Sequence, residues 1–179
     1  MRIKEREDSL NAPRIITQGL SLTVDPATQT LKLYKDQILT HEYIISTAAK
    51  GLGEQKNSYM TPRGWHVIRA KIGATCPLNA VFKERRFNGE IYTPELQAQD
   101  PRRDWILTRI LWLSGLERGF NRLGNVDTMQ RYIYIHGTPD ERAVGTPTSR
   151  GCIRMRNKDI IELFDLVPVG TKIFINLNI

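Results

Sequence analysis

The chain reads as a mostly β fold with helices, in the α+β class. Three observations predict it: short runs alternating apolar and polar residues recur along the chain, turns containing Gly, Pro or Asp separate them, and one amphipathic helical stretch lies near the carboxyl end. A length of 179 residues is that of one domain, and such a chain can bury about two-thirds of its unfolded surface. Hydrophobic residues at 40% and charged residues at 25% make an ordinary globular balance, which excludes disorder, collagen and coiled coil as global answers.

The first ordered segment is a hairpin. Leu20, Leu22 and Val24 alternate with polar residues, Asp25 to Gln29 make a turn, and Leu31 and Leu33 continue on the return strand. A third strand is predicted over 38–46. Residues 48–60, rich in Gly, Lys, Gln, Asn and Ser, read as a loop. Thr61-Pro62-Arg63-Gly64 is a turn, and Trp65 to Ile72 the next strand. From 73 to 130 the β pattern breaks. There Asp100-Pro101 predicts a helix running to about Ser114, with Gly115 past its end, because Asp caps free N–H groups and Pro suits the first helical position. Trp105, Ile106, Ile110, Trp112 and Leu113 make that segment strongly apolar, and Trp105, Trp112 and Phe120 are candidates to roof a cleft. Strands return at 131–136 and 152–155. Asn157 is read as the cap of a helix over 158–167, with Ile160, Ile161, Leu163 and Phe164 inward, and Thr171 to Leu177 as a closing strand.

Lys plus Arg outnumber Asp plus Glu by 26 to 19, a net charge of +7 that favours an anionic partner. The basic residues are scattered and carry no helix-turn-helix or RNP-like signature, so nucleic acid is not the expected partner. Residues 1–14 hold seven charged side chains and read, through residue 18, as a charged amino-terminal extension. No secretory apolar run and no membrane-span-length apolar stretch is present. The expectation is a cytoplasmic location if Met1 is the native start, and a periplasmic one otherwise. Two Cys and three His do not assemble a closed zinc site, so no metal or other cofactor is expected. A bridge from Cys76 to Cys152 is the one disulfide the composition allows.

The chemistry concentrates in Ile135-His136-Gly137-Thr138-Pro139 and Ser149-Arg150-Gly151-Cys152-Ile153-Arg154-Met155. A histidine ends a strand, and a cysteine preceded by glycine follows sixteen residues later. An imidazole can take the proton of a thiol or stabilise its thiolate. The backbone N–H groups of Arg150, Gly151 and Cys152 are candidates for an oxyanion hole. Cys76, His41 and His66 have no such setting and read as structural. A phosphatase loop would need Arg at position 158, which is Lys. Papain-like enzymes have the reverse order of Cys and His.

These residues resemble the signature of the L,D-transpeptidase (YkuD-type) catalytic domain, in which His-Gly-Thr precedes Ser-His-Gly-Cys-Ile-Arg. Ser21 to Tyr34, with Gln29-Thr30-Leu31, is similar to that family's first hairpin. Ile45-Ser46-Thr47 resembles its Ser-Thr strand end, and Thr61-Pro62-Arg63-Gly64 its Thr-Pro-x-Gly turn. Residues 19–179 would form the catalytic domain, with 73–130 as a helical insertion or lid. The resemblance implies a β-sandwich-like fold and a cysteine enzyme acting on peptidoglycan stem tetrapeptides. Cys152 would be the nucleophile, His136 the base and the carbonyl of Gly137 its orienting group. Carbapenem-type inhibitors are expected to acylate the thiol.

The sequence departs from the family pattern at Arg150, where His is usual. Arg cannot act as a base near neutral pH, but it can hold a carboxylate bidentately. Arg150 and Arg154 are therefore candidate substrate clamps, with Ser149 a candidate contact to substrate or loop. With a cytoplasmic location, water is the abundant acceptor, and the expected reaction is an L,D-carboxypeptidase step of peptidoglycan recycling. The alternatives are a periplasmic transpeptidase and a non-catalytic peptidoglycan-binding domain.

Overall fold

The computed structural model describes residues 18–176. The charged extension, up to residue 17, and Leu177 at the end of the expected closing strand lie outside the described residues.

The first hairpin forms as the alternation predicts: β1 (Leu20–Asp25) pairs antiparallel with β2 (Thr30–Lys35), and Leu22, Val24, Leu31 and Leu33 are buried. β3 (Ile38–Ser46) and β4 (Gly64–Ile72) fall where their patterns place them. β5 (Ala80–Lys83) and β6 (Arg86–Ile91) form a hairpin that the sequence reading did not predict, followed by the short helix α1 (Pro94–Gln99).

The helix expected over 100–114 is instead a strand, β7 (Ile106–Gly115), with Gly115 as its last residue. The reason is burial on both faces. Leu111 and Leu113 enter one core cluster, while Ile110 and Trp112 pack in another. A strand covered on both sides reads as a continuous apolar run with no period to betray it. A register shift between Leu107 and Ile110, with Thr108 at φ 73°, broke the alternation further.

After β7 come β8 (Tyr134–Gly137), β9 (Ile153–Met155), α2 (Asn157–Leu166) and β10 (Lys172–Ile175). The sheet runs in the order β4-β10-β1-β2-β3-β9-β8-β7-β5-β6, and β4 also pairs with β7. That last pairing bends the sheet into a barrel-like ring, with the β5–β6 hairpin extending from β7. The expected sandwich is corrected accordingly: the strand misread as a helix supplies the closure. Segment 73–130 is thus not a purely helical insertion, since it contributes a strand flanked by β4, β5 and β8. α2 sends Ile160, Leu163 and Phe164 into the core with Leu22, Ile45, Ile135 and Ile173.

Asn157 is not the cap of α2 but its first residue, after Arg156. Its backbone N–H donates to Glu141 Oε1 at 2.7 Å. Its side chain is buried, with Nδ2 donating to the Thr138 carbonyl at 2.8 Å and Oδ1 accepting from Thr108 Oγ1 at 2.6 Å. It ties the helix start to the end of β8.

His41 lies on β3, stacked on Tyr43, and His66 is fully buried in β4. His66 Nδ1 lies 3.0 Å from the Gly64 carbonyl, and Nε2 lies 3.0 Å from Thr128 Oγ1. Burial pushes its pKa from 6.5 down to about 4. Between these values the unfolded chain binds a proton that the folded state refuses, so stability falls as pH drops through that window and is fully present above it. The denaturant midpoint is expected to decline as pH falls from about 6.5 to about 4, and His66→Gln to flatten the decline. A midpoint constant over that range would refute the assignment.

Candidate active site

The site is built on the parallel pairing of β8 with β9, in which Ile135 faces Ile153 and His136 faces Arg154. Side chains alternate across a strand, so Tyr134 and His136 share one face while Ile135 enters the core on the other. Cys152, just before β9, lies on the Tyr134 side and packs with Tyr134, Ile110 and Trp112. The Tyr134 N–H donates to Cys152 Sγ at 3.3 Å, and the thiol donates to the Tyr132 carbonyl at 3.4 Å. The thiol is thus held between two main-chain groups of one segment. Both cysteines are free, so the disulfide that composition allowed is not made.

His136 is fully buried, and its Nδ1–H donates to the carbonyl of Gly137 at 2.8 Å. That bond leaves Nε2 as the lone-pair nitrogen, and Nε2 has no hydrogen-bond partner among the described residues. No hydrogen bond joins it to the thiol in this resting arrangement, but both groups feel the same two charges, Asp104 and Arg154. Gly137 is required by close approach: a Cβ there would lie 2.3 Å from Asn157 Oδ1 and 2.8 Å from the Leu107 carbonyl. Gly151 is required by its backbone, at φ 125°.

Several residues brace the Cys152 loop. Thr61 is fully buried, its hydroxyl donating to the Gly151 carbonyl at 2.9 Å and accepting from the Ala48 N–H at 3.0 Å. This is what the Thr-Pro-x-Gly turn does for the site. Ser149, a candidate contact to substrate or loop, is buried and makes the loop contact: its hydroxyl donates to the Cys152 carbonyl and accepts from the Gly151 N–H at 3.2 Å. The Gly151 amide is therefore occupied at rest, while those of Arg150 and Cys152 make none of the loop's hydrogen bonds.

The two candidate clamps separate. Arg154 Nη2 donates to Asp104 Oδ1 at 2.8 Å and its Nη1 to the Thr148 carbonyl at 3.3 Å. It is engaged with protein rather than open to substrate. Arg150 is exposed, and its side chain has no hydrogen-bond or ion-pair partner among the described residues. It lines a cleft of 560 Å³ together with Cys152, Arg85, Arg131, Tyr132 and Tyr134.

Asp104 and Arg85 carried no signal in the sequence, because each reaches the cleft from a distant segment, and neither did Arg131, because its partners lie in the distant 53–60 loop. Arg131 holds the 53–60 loop against the site, donating to the carbonyls of Gly53 (3.1 Å), Glu54 (2.8 Å) and Met60 (2.6 Å). Of the residues expected to roof the cleft, Trp112 packs beside Tyr132 and Tyr134. Trp105 joins a separate cluster with Val81 and Leu107, and Phe120 lies under Arg63. Among the described residues no group of His, Cys, Asp and Glu could hold a metal ion, and no helix is long and apolar enough to cross a membrane.

A sequence model of the L,D-transpeptidase catalytic domain, YkuD, matches residues 20–175. The chain belongs to this family. Among curated relatives it is 55% identical over 42 residues to the Bacillus subtilis protein named as an L,D-transpeptidase, YkuD, a stretch covering 24% of this chain and 26% of that one. It is 46% identical over 57 residues to a second B. subtilis protein so named, YqjB, covering 32% of this chain and 31% of the relative. The matched stretches thus span a third or less of these relatives. In fold it is similar to an L,D-transpeptidase of Xylanimonas cellulosilytica, with TM-score 0.52, 18% identity, and coverage of 96% of this chain and 68% of that one. It is also similar to the L,D-transpeptidase LdtMt1 solved with imipenem, with TM-score 0.53, 18% identity, and coverage of 88% and 58%.

Electrostatics set the resting protonation of this family member. Burial pushes the Cys152 thiol up to about 12, Asp104 adds to the rise, and the Tyr134 N–H, Arg154 and Arg131 oppose it. Cys152 keeps one side on the cleft, so solvent tempers the shift without reversing it. Burial also holds His136 well below the usual imidazole range, against the pull of Asp104 and the Gly137 carbonyl. Both shifts favour a neutral thiol beside a neutral imidazole over an ion pair. With Cys76→Ser as background, the protein is expected to show no ultraviolet thiolate absorbance at neutral pH. Its alkylation by iodoacetamide is expected to keep accelerating above the ordinary thiol pKa of about 8.5. A rate plateau at or below neutrality would reveal a thiolate–imidazolium pair and overturn this assignment.

Proposed function

We propose that this domain is a cysteine acyl-transfer enzyme acting on peptidoglycan stem tetrapeptides, with water as the acceptor: an L,D-carboxypeptidase that removes the terminal D-alanine. The observation that carries the acyl transfer is the placement on one sheet face of a cleft-lining thiol and an imidazole whose Nε2 has no hydrogen-bond partner among the described residues. A domain that only bound peptidoglycan would need neither group.

In this reading Cys152 Sγ attacks the carbonyl of the third stem residue as His136 Nε2 takes its proton. The transfer is coupled to attack because the resting pair is neutral. The amides of Arg150 and Cys152 receive the charge that develops on oxygen, joined by Gly151 if Ser149 releases it. Collapse breaks the peptide bond, the imidazolium returns its proton to the leaving amine, and a thioester remains on Cys152. His136 then removes a proton from water, which hydrolyses the thioester and restores the thiol.

Water is favoured over an amine by the charge of the cleft. Arg85, Arg131 and Arg150 line it against Glu84 and Asp104, and Asp104 is already paired with Arg154. The excess of positive charge repels a protonated amine acceptor, costs neutral water nothing, and attracts a donor rich in carboxylate. Arg150 is the candidate clamp with donors free for that purpose.

Incubation with a diaminopimelate-containing tetrapeptide stem, with and without an added D-amino acid, should give the tripeptide and free D-alanine by mass spectrometry. Cys152→Ala should lower the rate by about a thousand-fold or more. An exchanged or cross-linked product would identify a transferase and end the hydrolytic reading. Turnover that survives Cys152→Ala would remove the nucleophile. A carbapenem is expected to add its mass to the wild type and not to Cys152→Ala.

A further inference from the structure

The β5–β6 hairpin turns on two residues, Glu84 and Arg85, both with positive φ (49° and 66°), closed by the pairing of Lys83 with Arg86. Such a turn holds its two residues in one backbone conformation. It delivers the Arg85 side chain to the cleft that contains Cys152. The guanidinium carbon lies 4.8 Å from the ring centres of both Trp112 and Tyr132. Nη1 donates to Tyr134 Oη at 3.1 Å. The rings are themselves fixed: Trp112 stands edge-on to Tyr134 at 6.1 Å, and its indole N–H donates to the Met129 carbonyl at 3.2 Å.

The residues that hold Arg85 are also those that hold the thiol. Tyr132 and Tyr134 grip Cys152 Sγ through their backbones and Arg85 through their side chains. Arg85 has no ion-pair partner among the described residues, and Glu84 beside it on the turn makes none with it. This sets it apart from Arg154, paired with Asp104, and from Arg131, spent on loop carbonyls. Aromatic rings engage the faces of a guanidinium and leave its edge donors open. Those donors form the fork that matches a carboxylate, and a side chain already held in place loses little rotamer freedom on binding.

We propose that Arg85 is a carboxylate receptor of the Cys152 cleft, selecting acyl donors that carry a free carboxylate near the attacked carbonyl. Its assignment to a donor substrate rests on the acyl-transfer reading above; the preference of the cleft for carboxylates does not. In a stem tetrapeptide the carboxylate could belong to the leaving residue or to the side chain of the third residue, and amidation distinguishes them.

Three donors are compared, one with both carboxylates free, one amidated at the terminus and one amidated on the third side chain. One amide is expected to raise KM about ten- to a hundred-fold with kcat little changed, the range of a charge-assisted contact. Arg85→Gln should remove that discrimination and Arg85→Lys recover part of it, since both replacements tolerate the turn as well as Arg does. A wild type indifferent to both amides, or discrimination that survives Arg85→Gln, overturns the proposal. If no stem is turned over, the acyl-transfer reading fails, and alkylation of Cys152 in the Cys76→Ser background decides the receptor alone. The rate ratio of iodoacetate to iodoacetamide should fall several-fold in Arg85→Gln, and an unchanged ratio overturns the proposal.

Discussion

The parallel pairing of β8 and β9 is the constraint on which the site depends. Parallel neighbours cannot be joined by a tight turn, so the chain must cross over between them, here through residues 138–152. The register puts Tyr134, His136, Cys152 and Arg154 on one face and commits Ile135, Ile153 and Met155 to the core. A slip of one residue would exchange these sets. The buried apolar side therefore guarantees the alignment of the reactive side.

The crossover has to be held where it lies, and much of the remaining architecture does so. The amides of Thr148 and Ser149 donate to the Thr47 carbonyl, and the Ala49 amide donates to the Ser149 carbonyl. Gln29, from the first hairpin, fixes Thr47 by accepting from its N–H and donating to its hydroxyl. Thr61 reaches the Gly151 carbonyl, and Arg131 pulls the 53–60 loop against the same region. Buried hydrogen bonds of this kind are costly to break, because a lost partner leaves a polar group unpaired away from water. They give one conformation to a loop that its own composition would leave adaptable. The same burial that rigidifies the site desolvates the thiol and imidazole, which favours the neutral form of each.

The pattern of charge follows from the same economy of space. Arg154 and Arg131 are locked to the scaffold, where they act on the sulfur through their fields. Arg85 and Arg150 retain donors facing the cleft, one caged by aromatic rings and the other exposed at its edge. Part of the net charge of +7 thus gathers at the Cys152 cleft, although composition alone could not say which residues would meet there.

The local alternation of β1 to β4, the carboxyl-terminal helix and the motifs around His136 and Cys152 were legible in the sequence. Each is set by residues near one another in the chain: apolar spacing, turn chemistry and a Gly beside a Cys. β7 was not, because burial on both faces erases the period that distinguishes strand from helix, and with it went the barrel closure and the β5–β6 hairpin. The partners of Ser149 and Arg154 were not legible either, since Gly151, Cys152 and Asp104 meet them only once the loop folds. The sequence by itself determined the candidate chemical groups, the thiol of Cys152 and the imidazole of His136. The tertiary structure alone decided which charges face them, because Asp104, Arg131 and Arg85 come from separate strands and turns, and electrostatic coupling depends on distance in space rather than along the chain.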